Sequence, residues 1–495
     1  MLRITNSIMQ RNTKNNINLN KETADAKNTQ VATGQKISRP SDDPVIAIRA
    51  LRLNTDLSQM NQYYDKNIPD ATAWLKVTET ALSQTDAIYT SIKENLTTGA
   101  SDDNTAADRM KILENLKGYR DQIYASGNAD YAGRTVFTGY RTGDSLMFRE
   151  ADPEIKHEYE INEPFSKDAL EKINYVTTGE TEAEITRNDV FRVRLSYDNI
   201  KGAAGDFMIG ADTVTPSVKS IAGLSQADVD AIYTSVGDDE AVLISDTGEL
   251  LIGKNIAQKM SEAADGDKIY LTYTKDKWDV GDLKPEHYFS CTDKTDNIVY
   301  NEDIDPSAGL PEAPKPPYVD QSLEIEVSYN QKVRINTSAG EVYGHAAGRD
   351  VDDLLRATQD VIDVDEKLSK LKKELSEASE ADKPAVQKKI DAANKEFSFK
   401  KDKMQKMFSE ALGKFDGYSD KTNLAIANIG SKSERLSITR DRVSDQLMSF
   451  KELANDNINI ELTDAAIDLN SAEIALQAAQ LASAKIAQQS LLNYL

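Results

Sequence analysis

The sequence is short of the residues that staple or rigidify a fold. Among 495 residues there is one cysteine, Cys291, with three histidines and two tryptophans. A single cysteine excludes an intramolecular disulfide framework and any cysteine-based zinc site. No run approaches the roughly 20 apolar residues that a spanning helix requires. With 39% apolar residues and a mean hydropathy of −0.55, membrane insertion is not expected. The amino-terminal stretch MLRITNSIMQRNTKNNINLN has no apolar core, so it does not read as a secretory signal peptide. Basic residues are also scarce: 59 stand against 82 acidic ones, for a net charge of −23. That balance argues against nucleic acid as a partner of the whole chain.

What charge there is falls unevenly. Residues 141–345 hold 40 acidic and 20 basic side chains, a net of −20, together with nine of the 13 prolines, all three histidines and the cysteine. This middle reads as β-rich. Phe191–Tyr197 (FRVRLSY) alternates apolar and polar like a half-buried strand, and 323–333 (LEIEVSYNQKV) does so around a turn at Asn330. The runs AVLIS at 241–245 and IYLTY at 269–273 are further strand candidates. The stretch 306–317 (PSAGLPEAPKPP) is too proline-rich for regular structure.

The flanks are helical. Ile68, Leu75, Leu82, Tyr89 and Leu96 recur every seven residues, with Ala71, Thr78, Thr85 and Ile92 supplying the second position of an a/d seam. Pro69 suggests that this helix starts beside it, capped by Asn67. A second helix follows the SDDNT cap at 101–105 and carries Ile112, Leu116, Tyr119 and Ile123 on one face. Beyond the middle, Leu354, Val361, Leu368 and Leu375 restore the heptad. Pro384 then suggests a turn into a partner helix with Val386, Ile390, Ala393 and Phe397, making a helical hairpin or extension near 363–400. The expected fold is α+β and multidomain: a long antiparallel helical bundle or coiled coil built from both termini, with an inserted β-rich outer domain. Its parts are terminal helical regions at 1–40 and 457–495, a helical bundle from 41–140 and 346–456, and the acidic outer domain at 141–345.

The carboxyl-terminal helix carries two seams. Leu462, Leu469 and Leu476, with Ala465, Ala472 and Ala479, form one, and Ile486 lies further along the same tail. Ile467, Ile474 and Leu481 form another on the nearly opposite side. A helix apolar on both sides belongs inside a bundle. The amino-terminal segment is a poor cover: six asparagines fall in its first twenty residues, and Leu2, Ile4, Ile8, Ile17 and Leu19 can line one seam at most. The second seam therefore calls for other copies of the chain, and both tails are expected to be frayed in the monomer and to fold on assembly. Leu2, Ile4, Ile8, Leu462, Ile467, Leu469, Ile474, Leu476, Leu481 and Ile486 are the candidate assembly residues.

A turn stands between the amino-terminal segment and the bundle. In Arg39, Pro40, Ser41, Asp42, Asp43 and Pro44 the prolines disfavour helix just before them, and Ser41, Asp42 and Asp43 can cap a helix starting near Val45. This turn sets the angle between inner and second helical layers, or it is a cap and nothing more. No catalytic arrangement is legible. His157, His287 and His345 are dispersed, Cys291 has no local partner, and neither a Walker loop nor a GxGxxG cradle occurs. Asp303 and Asp305 echo a calcium loop that lacks its glycine and closing glutamate. No enzyme activity, cofactor or metal is expected.

Thr33–Leu82, with PSDDP at Pro40–Pro44, resembles the flagellin family, and more its hook-associated branch than filament flagellin. Tyr131–Gly143 (YAGRTVFTGYRTG), Asn423–Leu436 (NLAIANIGSKSERL) and the terminal ELTDAAIDLNSAEIALQAAQ carry the same resemblance. It implies an adaptor joining the hook to the filament of a bacterial flagellum, polymerised through its terminal helices. The implied partners are further copies of itself, a hook-side junction protein, flagellin, and an export chaperone with the flagellar type III apparatus. The implied location is outside the cell, reached without a cleavable signal. The resemblance leaves the 141–345 region unmatched. Two other readings stay open: filament flagellin itself, and a secreted β-rich binding module on a helical stalk.

Overall fold

The computed structural model describes residues 6–101, 103–203, 205–264, 267–301 and 321–492. Ten α-helices occur among them: α1 (Asn6–Thr33), α2 (Pro44–Gln62), α3 (Ile68–Gly99), α4 (Ala106–Gln122), α5 (Gln226–Thr234), α6 (Lys254–Glu262), α7 (Ala339–Val342), α8 (His345–Glu377), α9 (Lys383–Ile458) and α10 (Leu462–Leu492). The fold is α+β, with long helices at both ends of the chain and sheets between. Among the described residues no helix is long and apolar enough to cross a membrane.

The chain forms two compact units. The smaller combines the amino-terminal residues to Asp70, Glu326–Lys332, and Glu434 onward. In it α1 lies antiparallel along α10: Asn20 Nδ2 donates to the Ala475 carbonyl at 3.3 Å, and Lys27 pairs with Asp468 at 2.7 Å. The connectors that follow α1 and precede α10 are bonded to each other, Lys36 N–H to the Ile458 carbonyl at 2.7 Å and Ile460 N–H to the Gly34 carbonyl at 2.9 Å. Gly34 takes a φ of +70°, the left-handed conformation that ends a helix without strain on glycine. Beyond the connectors, α2 meets the end of α9, where Asn457 Nδ2 donates to the Ile46 carbonyl at 3.1 Å and the Arg440 guanidinium stands 5.1 Å from the Tyr64 ring centre. Of the tails expected to fray in the monomer, the described parts at Asn6–Thr33 and Leu462–Leu492 are each one continuous helix.

Although α3 is counted from Ile68, beside Pro69, it does not start from a free end. The helical path runs on from α2 to α3 through a π turn at Tyr63–Asn67, where the Ile68 N–H reaches the Tyr63 carbonyl. Proline offers no N–H to the carbonyl four residues back, and widening the preceding turn re-pairs the donors around the gap. Asn67 caps nothing; its Nδ2 donates to the Glu326 carbonyl at 2.7 Å. All nine seam residues of this helix, Ile68 to Leu96, are buried, including Thr78 and Thr85, which return their hydroxyls to carbonyls one turn earlier.

The larger unit holds the two multi-stranded sheets. One has five strands in the order Leu170–Val176, Arg187–Arg194, Glu249–Ile252, Ala241–Ile244 and Ser217–Lys219, antiparallel except for the last pair. The other runs Ile298–Tyr300, Ser290–Asp293, Tyr159–Pro164, Ile269–Lys275, Phe207–Ile209 and Asp212–Val214, and Ile200–Ala203 also pairs with Ile269–Lys275. The end of α8 packs on the start of α9 through Leu368, Val386, Ile390 and Ala393. Three helices within the β-rich stretch, α5, α6 and the short α7, were not foreseen, although Ser225 caps α5 by accepting the Asp228 N–H.

The alternation FRVRLSY does not place its arginines in water. Arg192 and Arg194 are buried against α8: Arg192 bonds Glu171, Glu249 and Asp353, and Arg194 reaches Asp350 at 2.7 Å and Asp353 at 2.8 Å. Lys414 and the Tyr418 hydroxyl complete Asp350, at 3.0 and 2.7 Å. Burial alone would raise the Asp353 carboxyl, yet Arg192, Arg194 and Arg356 hold it well below its usual range. Glu249 likewise falls to about 2, with Arg356 and Arg192 outweighing its burial. Such a network costs much to desolvate and much to break on one side only.

Two histidines are held neutral. Burial depresses His287 and His345 to about 3, while it pushes the Glu286 carboxyl up to about 7. A depressed histidine supports the fold above its unfolded value of roughly 6.5 and loses that support as pH falls toward 3. Glu249 and Asp353 add to the loss below about pH 4.5. Glu286 acts oppositely, since a raised carboxyl stabilises the folded state as pH falls from about 7 toward 4.5. Melting temperature is therefore expected to decline on acidification, and to decline more steeply in Glu286→Gln. Calorimetric scans from pH 8 to 4 with parallel profiles for the two proteins would contradict this assignment.

Candidate assembly interface

The turn before α2 is built from its own side chains. Asp43 caps the helix, its Oδ1 accepting the N–H groups of Val45 at 2.9 Å and Ile46 at 3.2 Å, and Pro44 occupies the first helical position. Asp42 turns the other way, with Oδ2 accepting from Ser38 and Arg39 N–H at 3.0 and 2.8 Å. Arg39, Pro40 and Ser41 are exposed. The turn thus fixes how the chain leaves the connector and enters α2.

Along α10 the two seams differ in cover. Ala465 is buried, and Leu469, Ala472, Leu476, Ala479, Ser483 and Ile486 are half-buried, a heptad stripe. The facing stripe on α1 is Thr13, Ile17, Asn20, Ala24, Lys27 and Val31, likewise half-buried. Only two of those six are aliphatic residues larger than alanine, so the polar groups must be used, and Asn20 and Lys27 are the two that bond across to α10. Ile467, Ile474 and Leu481 are about 60% exposed or more. Leu462, assigned to the first seam by spacing, is 60% exposed, because it stands at the first position of α10 beyond the reach of α1. Ile8 is 49% exposed, and Leu2 and Ile4 lie outside the described residues.

Spacing in the sequence missed further apolar surface in the same unit. Val45, Ile48 and Leu51 are exposed along α2, and Ile438, Met448 and Leu453 along α9. Their signal was present as apolar residues three apart in PVIAIRALRL, but the turn motif before it drew the reading. Among the described residues, 14 of the 22 exposed large apolar side chains fall in the smaller unit, which therefore has by far the higher density of unburied hydrophobic surface. Fully burying one leucine or isoleucine is worth about 1.5–3 kcal/mol. Covering the Ile467, Ile474 and Leu481 seam alone would then contribute several kcal/mol per copy.

Nucleophile and base candidates are differently placed. Cys291 is 1% exposed and burial pushes its thiol well above the ordinary value, which leaves it a poor nucleophile. His287 is buried with Nε2 at 3.0 Å from the Ser145 carbonyl, and the His345 ring is enclosed by Tyr197, Tyr288 and Phe289.

Residues 4–142 match the bacterial flagellin N-terminal helical region, so this part of the chain is flagellin-like and encompasses α1 to α4. Flagellar hook-associated protein 3 of Salmonella typhimurium is 32% identical over 114 residues, and that of Escherichia coli 31% over 114. Each alignment takes in 23% of this chain and 36% of the relative, so the chain spans about a third of the length of the curated relatives it matches. Among solved structures, a putative flagellar hook-associated protein from Vibrio parahaemolyticus aligns over 84% of this chain and all of its own, with 13% identity and a TM-score of 0.35. FlgL from Xanthomonas campestris aligns over 81% and 99%, with 12% identity and a TM-score of 0.33.

The two seams separate folding from association. Ile474→Ser changes an exposed position and is expected to leave the helicity and melting of the isolated chain within about 0.5 kcal/mol. Leu476→Ser on the covered seam should destabilise the α1–α10 pair. In sedimentation under polymerising conditions, Ile474→Ser is expected to remain monomeric. Polymers like those of the unaltered chain would remove the second seam from the interface.

Proposed function

We propose that this protein is a structural adaptor of the bacterial flagellum, joining hook to filament by polymerising through its terminal helices. The observation that carries the reading is α10: one apolar seam is covered by α1 and the other is bare. Such a helix gains free energy only when further copies close over it. The flagellin-like character of residues 4–142 supports a flagellar setting, and the similarity of a 114-residue stretch of the chain to hook-associated protein 3 favours the junction.

In this reading the two terminal regions, 1–40 and 457–495, make the inner layer. The bundle from 41–140 and 346–456 makes the second, and residues 141–345 form an acidic outer domain. The turn from Arg39 to Pro44 sets the passage between layers, with Asp42 and Asp43 holding its two halves. A net charge of −20 on the outer domain discourages unwanted association there, while the nearly neutral remainder of the chain packs beside copies of itself. The partners are a hook-side junction protein on one face and flagellin on the other. An export chaperone and the type III apparatus deliver the chain out of the cell without a cleavable signal. The role is mechanical and not catalytic, consistent with a cysteine and two histidines that burial keeps from solvent chemistry.

Filament flagellin is the nearest second reading, since a flagellin region is what residues 4–142 match. Immunogold labelling of intact flagella with an antibody against residues 141–345 separates the two. A single band where hook meets filament is expected. Label along the whole filament would make the protein a flagellin, and unlabelled flagella with the epitope accessible would overturn the flagellar assignment.

A further inference from the structure

Three potential ligands distant in sequence meet at one end of the larger sheet. His157 lies two residues before the first residue of the strand Tyr159–Pro164, and Asp293 ends the antiparallel neighbour Ser290–Asp293, so the ladder that pairs Asp293 with Tyr159 brings them together. The turn after Asp293 adds Asp296. His157 Nδ1 is 2.7 Å from Asp293 Oδ2 and 3.9 Å from Asp296 Oδ2, and the three ligand atoms all lie within 4.8 Å of one another. We propose that His157, Asp293 and Asp296 bind a divalent transition-metal cation of the zinc class, with water completing its coordination.

The surroundings hold these groups in place. Asp293 Oδ1 accepts the N–H groups of Thr295 at 2.8 Å and Asp296 at 3.3 Å, which leaves Oδ2 for the site. Thr295 Oγ1 accepts the Glu158 N–H at 3.0 Å, and Trp278 Nε1 donates to the His157 carbonyl at 3.0 Å, fixing the backbone on the imidazole side. Bonds of about 2.0–2.2 Å around a tetrahedral zinc put neighbouring ligand atoms roughly 3.3 Å apart. The two separations from Nδ1 bracket that spacing, so small side-chain rotations suffice. Imidazole with carboxylates suits zinc, cobalt or nickel better than calcium, which prefers an all-oxygen shell. Asp293 is 1% exposed and Asp296 57%, giving the site a rigid floor and an open side for ion and water.

A second acidic group shows what a closed site looks like. Asp198, Asp279 and Asp282 also cluster, but the Lys275 ammonium is already there, 3.2 Å from Asp198 Oδ1 and 3.5 Å from Asp282 Oδ2, and fully buried. That group has its cation built in. At Asp293 and Asp296 the neighbouring Lys294 is drawn away to Glu160, and among the described residues the ion-pair partner of both carboxylates is His157. The ladder explains why the cluster is not legible from spacing: 136 positions separate His157 from Asp293.

Isothermal titration of the full-length, untagged chain with zinc chloride tests the site, with melting temperature read in parallel. One zinc per chain is expected, with a melting temperature raised by the metal. Affinity should fall at least tenfold in His157→Gln and in Asp296→Asn, and stay unchanged in Asp279→Asn. Asp296 is exposed, so its substitution leaves the fold intact, as circular dichroism would verify. No binding at millimolar zinc, or equal affinity in Asp296→Asn and the unaltered chain, would overturn the proposal. The outcome is independent of whether the protein is flagellar.

Discussion

Two backbone hydrogen bonds, Lys36 N–H to Ile458 and Ile460 N–H to Gly34, join the connectors near the two ends of the chain. They fix the register in which α1 meets α10 and, on the other side, α2 meets the end of α9. Apart from Glu326–Lys332, residues 71–433 are in effect an insertion between helices that must come back together. This constraint lets the middle of the chain be β-rich and strongly acidic without altering how the ends pair. It also limits what α1 can cover: aligned this way, its half-buried stripe opposes one side of α10, and the other side is left bare.

Helical periodicity was the most legible part of the sequence. From Ile68 to Leu96 the seven-residue spacing named nine positions, and all are buried, even the threonines, because a hydroxyl can return to its own helix and enter a core satisfied. Legibility failed where the cause lay elsewhere in the chain. Pro69 looked like a boundary, since the π turn that absorbs it leaves no composition signal. Arg192 and Arg194 looked like the wet side of a strand, since the carboxylates that bury them, Asp350 and Asp353, are supplied by a helix more than 150 positions later. The two seams of α10 could be read from spacing alone. Which one α1 covers required the register, and Leu462 was misplaced because end effects do not show in a heptad.

The larger unit spends its charge in two ways. Some is buried in pairs that specify which strand meets which helix, as in Arg192 and Arg194 against α8, where loss of one partner strands the other. Much of the rest is acidic and exposed to water. The smaller unit does the opposite: few of the residues on the α1 stripe facing α10 are apolar, and its exposed apolar residues are dense. That contrast is what the proposed assembly through the terminal helices rests on.

Cross-linking of assembled material through the bare seam tests this account most directly. Cys291 is buried, so Ile474→Cys supplies the reactive surface thiol, and a short bismaleimide reports whether seams of different copies face one another. Covalent dimers and higher oligomers from assembled material, with none from the dilute monomer, are the expected result. Assemblies that form normally and yield only monomer after cross-linking, with the thiol free to react before assembly, would contradict the claim that other copies cover the second seam of α10.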